Sequence, residues 1–466
     1  MLSLRFGIVF EDLYSRGGLG KVDAAFLAFL GDADAGLKAR LEAGRTAHAA
    51  LAAKDEAELL LALGPHLEDF LGELFGIRRE AQALAERHHA LAPLYACKRM
   101  FVQKRALRQV KPAEAETVDG PALEAELAGL FGESFSELAF AHHVTEWEGD
   151  AAANAEPLKQ AARYAAWAVL TAAGRARNRP GVLFKAPAKL DYMHLVPLAT
   201  ETAHGYAEHR IAPHHIRRRE GFALTDHGTD LKGALDQANY CIWCHYQGKD
   251  SCSKGLTDRK TGAFQKSPFG VTLAGCPLEE RISEFHVLKT EGHAMAALAM
   301  ITVDNAMVAA TGHRICNDCM KSCIYQKQEP VNIPQAETRT LKDVLELPYG
   351  FEIYSLLTRW NPLDLRRPLP RVASGKRVLV AGMGPAGFTL AHHLMNDGHT
   401  VVGIDGLKIE PLPSALSGVD QAGRRVGFGP IRDVKEIYEN LGERVMAGFG
   451  GVAEYGITVR WDKNFL

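Results

Sequence analysis

Seven of the eight cysteines in this chain crowd into one stretch of it. They read Cys241-x2-Cys244-x7-Cys252, then Gly275-Cys276-Pro277, then Cys316-x2-Cys319-x3-Cys323, with Cys97 alone far upstream. Thiolates at such short spacings come off one turn and converge on a metal centre, and a proline after a ligand bends the chain away from it. Seven thiolates in two groups approach the eight ligands that two 4Fe-4S clusters require. Three other chemistries compete. Paired CxxC units build structural zinc sites, which here would leave three cysteines unexplained. Cys241-Ile-Trp-Cys244-His245 matches the c-type haem attachment pattern, a linkage normally made outside the cytoplasm. The thiols could also be redox-silent and simply buried. In a reducing compartment a cluster of this density means metal or redox chemistry before disulfides, and iron-sulfur uses the most of it.

A second pattern lies downstream, in KRVLVAGMGPAGFTLAHHLMNDGHTVVGID. Gly382, Gly384 and Gly387 form G-x-G-x-x-G between a short apolar strand, 377–381, and a helix whose first turn holds Pro385 and Ala386. Asp397-Gly398 ends that helix, and Thr400 to Ile404 reads as a second strand closing on Asp405. Gly382 permits the tight turn, Gly384 lets backbone amides approach a pyrophosphate, and Gly387 lets helix and strand pack closely. Asp405 would accept from a ribose 2'-hydroxyl, which suits FAD or NAD better than NADP.

The elements that must position these residues are legible only coarsely. With 466 residues there is room for about three domains, and 47% hydrophobic and 24% charged residues are globular values. A net charge of -2 makes neither nucleic acid nor an anionic membrane the default partner. The longest dense apolar stretches, 164–174 and 294–303, fall short of the ~20 residues that span a bilayer. Glu11 and Asp12 interrupt the start before any signal-like apolar run, so a cytoplasmic protein is expected.

Residues 22–173 are rich in Ala, Leu, Glu and Arg at helical spacing, with breaks expected at Asp32, Gly64-Pro65 and Lys111-Pro112. An all-α domain of unknown role is therefore expected over 1–180 and an irregular His- and Arg-rich connection over 181–230. The cysteine domain follows over 231–361, a proline-rich linker over 362–375, and an α/β unit over 376–466. His194, His204, His209, His214, His215 and Arg217 to Arg219 show no ligand spacing and read as a solvated strip.

The order QANYCIWC, GCPLEERISEF, LKTEGHAMAALAMI, GHRICNDCMKSC and PVNIPQAE resembles the N-terminal helical ferredoxin domain of the glutamate synthase small subunit, and dihydropyrimidine dehydrogenase carries a similar domain. The resemblance implies two 4Fe-4S clusters with interleaved ligands. Cys241, Cys244 and Cys252 would share one cluster with Cys323. Cys276, Cys316 and Cys319 would hold the other, with Glu337 as a non-cysteine fourth ligand. Between Cys252 and Cys276 stand about twenty residues more than the family carries, a surface loop at small entropic cost.

The resemblance also selects FAD, through a GPAG turn like Gly384 to Gly387. It extends to Gly450, Gly451, Tyr455, Gly456, Ile457 and Arg460, which match a GG-x-x-x-YGI-x-x-R stretch. It covers roughly 233–466. After Asp405 only 61 residues remain (466 minus 405), whereas the family has a second nucleotide domain for NADPH, so a truncated chain is expected. The implied fold is an α-helical dicluster domain followed by an incomplete Rossmann-like FAD-binding unit. The implied activity is an NAD(P)H-linked flavin and iron-sulfur oxidoreductase with a redox partner. No side chain reads as general acid, base or nucleophile. A non-catalytic electron-transfer subunit and a zinc-stabilised interaction protein are the alternatives.

Overall fold

The computed structural model describes residues 4–196, 198–213, 227–405, 414–418 and 424–438, together with residues 2, 216, 420 and 422. Its described part is mostly helical, with four short strands. The opening helices are α1 (Arg16–Ala33), α2 (Ala35–Thr46), α3 (Ala53–Leu74) and α4 (Arg78–Cys97). Ser15 caps α1 by accepting from the Gly18 amide, and Asp34 caps α2 by accepting from Leu37. The expected break near Asp32 and the one at Lys111-Pro112 both coincide with helix boundaries.

The break expected at Gly64-Pro65 does not occur. Helix α3 runs through it, because the one donor that Pro65 lacks matters less than the face it would interrupt. Leu60, Leu63, Leu67, Phe70, Leu71 and Leu74 are all fully buried, each contributing about 1.5–3 kcal/mol. Gly64 is needed here for closeness, since a Cβ would stand 2.5 Å from Leu288.

Two hydrophobic cores organise the rest. One joins α1 to α4 with residues between Cys241 and Val434, including Phe285, Leu298 and Trp360. Its centre is α9 over Ala294–Asp304, preceded by α8 (Ile282–Thr290); every residue from Met295 to Ile301 is fully buried, as in a helix apolar on all sides. Trp360, also fully buried, donates Nε1–H to Asp23 at 2.9 Å, and Arg45 grips the same carboxylate at 2.8 and 2.9 Å. The other core gathers Phe101, Phe140, Tyr164 and Phe184 and reaches Leu235, on α7 (Leu231–Tyr240). It is built largely by α5 (Glu137–Gly149) and α6 (Ala155–Leu170). The 1–180 stretch thus contributes to two cores, and the first is shared with the cysteine region.

Within the stretch expected to be irregular, β1 (Leu198–Ala203) and β2 (Tyr206–Ile211) pair antiparallel around His204-Gly205, both at positive φ (55° and 83°). That is the backbone a two-residue hairpin turn demands. Further on, β3 (Arg377–Ala381) and β4 (Thr400–Ile404) pair in parallel, with a helix over Pro385–Asn396 between them. The segment before β3 does not stand free. Arg371 donates its amide to Asn396 and Ser374 to Gly398, both at 2.8 Å, and Arg367 pairs with Asp397.

Candidate functional site

The first cysteine group is delivered by the end of α7. Asp230 caps that helix through the Gly233 amide, and the chain leaves it at Cys241. Trp243 adopts φ 51°, a left-handed conformation that costs a non-glycine residue about 1–2 kcal/mol. The turn places the Trp243 amide on the Cys241 sulfur at 3.4 Å and its indole on the Ala238 carbonyl at 3.2 Å. Strain of this kind, between two candidate ligands, is the sort that clusters at functional sites. Cys252 sits in a single helical turn and donates to Asp250.

Cys323 arrives from 71 residues beyond Cys252 (323 minus 252), yet it is a neighbour of all three earlier thiols. Burial pushes Cys241 up to about 12, with Cys244, Cys323 and Asp250 adding to it. Burial, Asp250 and Cys323 push Cys244 up to about 11. Cys252 goes up well past the usual thiol range through burial, Asp250, Cys241 and Cys323. Burial raises Cys323 as well.

The second group is assembled by the long excursion after Cys252, which folds back on its own start. The Leu256 amide donates to the Leu273 carbonyl, the Leu273 amide to Gln265 and the Gln265 amide to Leu256, through backbone bonds of 2.8–3.0 Å. The Cys276 amide then donates to the carbonyls of Cys252 (2.9 Å) and Ser253 (3.0 Å). Gly275 makes the closure possible at φ 85°, where a Cβ would lie 2.4 Å from the Gly255 nitrogen. Its amide donates to Ser322 Oγ at 2.9 Å, tying this end to the later cysteines. Cys276 is raised first by burial and also by Glu337 and Cys316. Cys319, buried, is raised by burial, then by Glu280, Glu337, Cys276 and Cys316. Cys316 is exposed.

Glu337 lies in this second set. Burial pushes its carboxyl up to about 7, opposed by a 2.5 Å hydrogen bond from Asn305. Glu280 lies there too and was missed by the sequence reasoning. It is 4% exposed, and its Oε1 has no hydrogen-bond partner. Burial, then Glu337 and Cys276, hold its carboxyl well above the carboxylate range. The only signal for it was its place four residues after Cys276. Among the described residues no three His, Cys, Asp or Glu side chains are set to hold a single metal ion. The thiols are neighbours within electrostatic reach, and they are not gathered around one point.

The glycine turn between β3 and β4 stands open. Gly382 has φ 93°, and a Cβ on Gly382 or Gly384 would meet nothing within 4 Å. A Cβ on Gly387 would lie 1.7 Å from the Gly382 carbonyl oxygen, so this position accepts glycine only. Gly384 is the N-cap and Pro385 the first residue of the helix, with Ala386 behind it, and no side chain caps the first turn. Asp405, at the end of β4, accepts from the Met383 amide at 2.6 Å. Gly450, Gly451, Tyr455, Gly456, Ile457 and Arg460 lie outside the described residues.

Residues 4–76 match the RP005 N-terminal alpha-helical domain. The chain is 56% identical over 160 residues to the uncharacterized protein RP006 of Rickettsia prowazekii (strain Madrid E), covering 34% of this chain and 21% of that protein. It is 31% identical over 128 residues to the glutamate synthase [NADPH] small chain of Mycobacterium tuberculosis (strain ATCC 25618 / H37Rv), covering 27% of this chain and 23% of that protein. It therefore spans under a quarter of the length of either. The uncharacterized protein RP005 of the same Rickettsia strain is 30% identical over 304 residues, 62% of this chain and 99% of that protein. A match over essentially all of that relative settles membership: the chain belongs to the RP005 family.

Proposed function

We propose that this chain is part of an iron-sulfur and FAD-dependent oxidoreductase, similar to the glutamate synthase small chain, that relays electrons between a nicotinamide-reduced flavin and two 4Fe-4S clusters. The observation that carries the reading is the sorting of the thiols. Cys323 joins Cys241, Cys244 and Cys252, while Cys276 joins Cys316, Cys319 and Glu337. Two sets drawn alternately from two stretches of chain are what an interleaved pair of clusters needs.

The donor chemistry fits such groups. Buried thiols within electrostatic reach of one another and of carboxylates are poor places for anions, and all but the exposed Cys316 are driven towards the neutral form. A bound metal reverses that balance, because a coordinating thiol loses its proton outright. The partnerless Oε1 of Glu280 beside the second set is a further candidate ligand oxygen. Ligands of separate irons in a cluster stand further apart than ligands of one ion, which suits thiols that are neighbours without sharing a point.

When bound, FAD supplies two-electron and the clusters one-electron chemistry. The chain's own residues do the holding. Gly382, Gly384 and Gly387 keep the turn open, Pro385 and Ala386 start the helix whose amides would meet a pyrophosphate, and Asp405 would accept from a ribose hydroxyl. We read 231–361 as the dicluster domain and 376–466 as the start of a Rossmann-type FAD domain in a cytoplasmic protein. The exposed Cys316 would put the second cluster within reach of a redox partner protein. Anaerobic purification tests this. The protein should be brown and contain iron, acid-labile sulfide and flavin; a colourless protein with zinc and no sulfide removes the redox reading.

A further inference from the structure

A cavity of about 1020 Å³ opens where the first helices, both cysteine groups and the segment after Trp360 meet. That is the size of a small-molecule site. The acids on its wall are largely committed. Arg281 donates to Glu56 at 2.7 Å and to Asp304 at 2.7 and 2.8 Å. Asp364 accepts from the amides of Arg366 (3.1 Å) and Arg367 (2.9 Å). Asp250 accepts from Cys252 and Ser283. Glu279 is exposed.

The cations are not committed in the same way. Lys249, Lys254 and Arg366, all exposed on the cavity's edge, form no ion pair among the described residues. Two buried walls are also unfinished. His245 is 8% exposed and neither of its ring nitrogens has a hydrogen-bond partner; Glu284 is 6% exposed and its Oε2 has none. Buried polar atoms in folded proteins are nearly always paired, so the three uncommitted cations and the two unpartnered buried side chains of one cavity ask for the same guest.

We propose that this cavity binds a small organic anion, a carboxylate or a phosphate. Lys249, Lys254 and Arg366 take its charge, and His245 and Glu284 receive its hydrogen-bonding end. A neutral imidazole offers one donor and one acceptor, and Glu284 offers a further oxygen. The guest would lie against both cysteine groups, since His245 follows Cys244, Asp250 bonds Cys252, and Pro277 follows Cys276. Binding needs only the cavity and does not require the cysteines to carry iron.

Titration calorimetry on the full chain tests it, with malate and glycerol 3-phosphate, each carrying a hydroxyl donor, as carboxylate and phosphate probes. At least one probe should bind, and its affinity should fall as salt rises. The double variant Lys249→Gln/Lys254→Gln should bind that probe about tenfold more weakly or worse. Arg366→Gln, remote in sequence from every cysteine, should weaken it as well. Iron, sulfide and melting temperature of each variant identify any loss caused by a damaged cysteine region or fold. No binding by either probe up to about 10 mM, a range covering weak metabolite sites, overturns the proposal. So does binding that the three substitutions leave unchanged.

Discussion

The cysteine region and the glycine-turn unit hold their candidate sites in opposite ways. The cysteine region is built into the largest core of the molecule, with α9 sealed at its centre and residues 4–84 packed around it. Among the described residues the β3–β4 unit has a small core of its own, Val380, Ala391, Met395 and Val401 with Val378, Met383 and Leu394 packed against it, and Leu379, Val402 and Ile404 are exposed. One site is held by long-range burial, the other by the backbone geometry of a turn. Damage to the first should therefore spread, while damage to the second should stay local.

The largest expected effect is at Cys323. In Cys323→Ser the first set loses the member that comes from the other side of the region, so about half of the iron and sulfide should disappear. Flavin retention should persist. Iron that stays at the wild-type level would break the assignment of Cys323.

Next comes Gly387→Val. With a Cβ 1.7 Å from the Gly382 carbonyl, the turn must open, at a cost of about 1–3 kcal/mol or more. Flavin binding should be lost and cluster absorbance kept. Loss of both together would show that the two regions are not independent.

Trp360→Phe is milder. It keeps an aromatic ring in place but removes the donor to Asp23 and part of the buried indole volume, for about 1–3 kcal/mol. Denaturant unfolding should show the shift in the cysteine region's transition and none in that of the β3–β4 unit, if the two separate.

The smallest effect is expected at Asp258, in the excursion between the cysteine groups. Amides of Thr261 and Lys260 and the Thr261 hydroxyl hold this carboxyl below its ordinary value of 3.8. Its contribution is present above that pH and is lost as pH falls through the native value. Asp258→Asn should flatten that acid limb of a melting-temperature profile slightly without changing iron content. A fall in iron would mean that the excursion positions Cys276 less robustly than its own backbone ladder suggests.

Sequence reading reached the candidate ligands because ligand spacing is local. Cys241-x2-Cys244 and Gly382-x-Gly384-x-x-Gly387 each fit within one turn, and the turn's geometry is encoded by its own residues. It failed at Gly64-Pro65, where a local break signal was outweighed by a fully buried leucine face. It also missed Glu280, whose importance comes from Cys316, Cys319 and Glu337, more than thirty residues away. The hairpin at 198–211 escaped because its strands are exposed and carry no alternating pattern.

Residue chemistry and short-range spacing were thus set by the sequence alone: seven clustered thiols, an open glycine turn, helices of a given polarity. Which thiols are neighbours, which core the first helices join, and the unpaired histidine and glutamate of the cavity were decided only by the tertiary structure. The reason is physical. Turns and ligand spacings depend on a few covalent neighbours, whereas burial depends on which distant surfaces exclude water from each other.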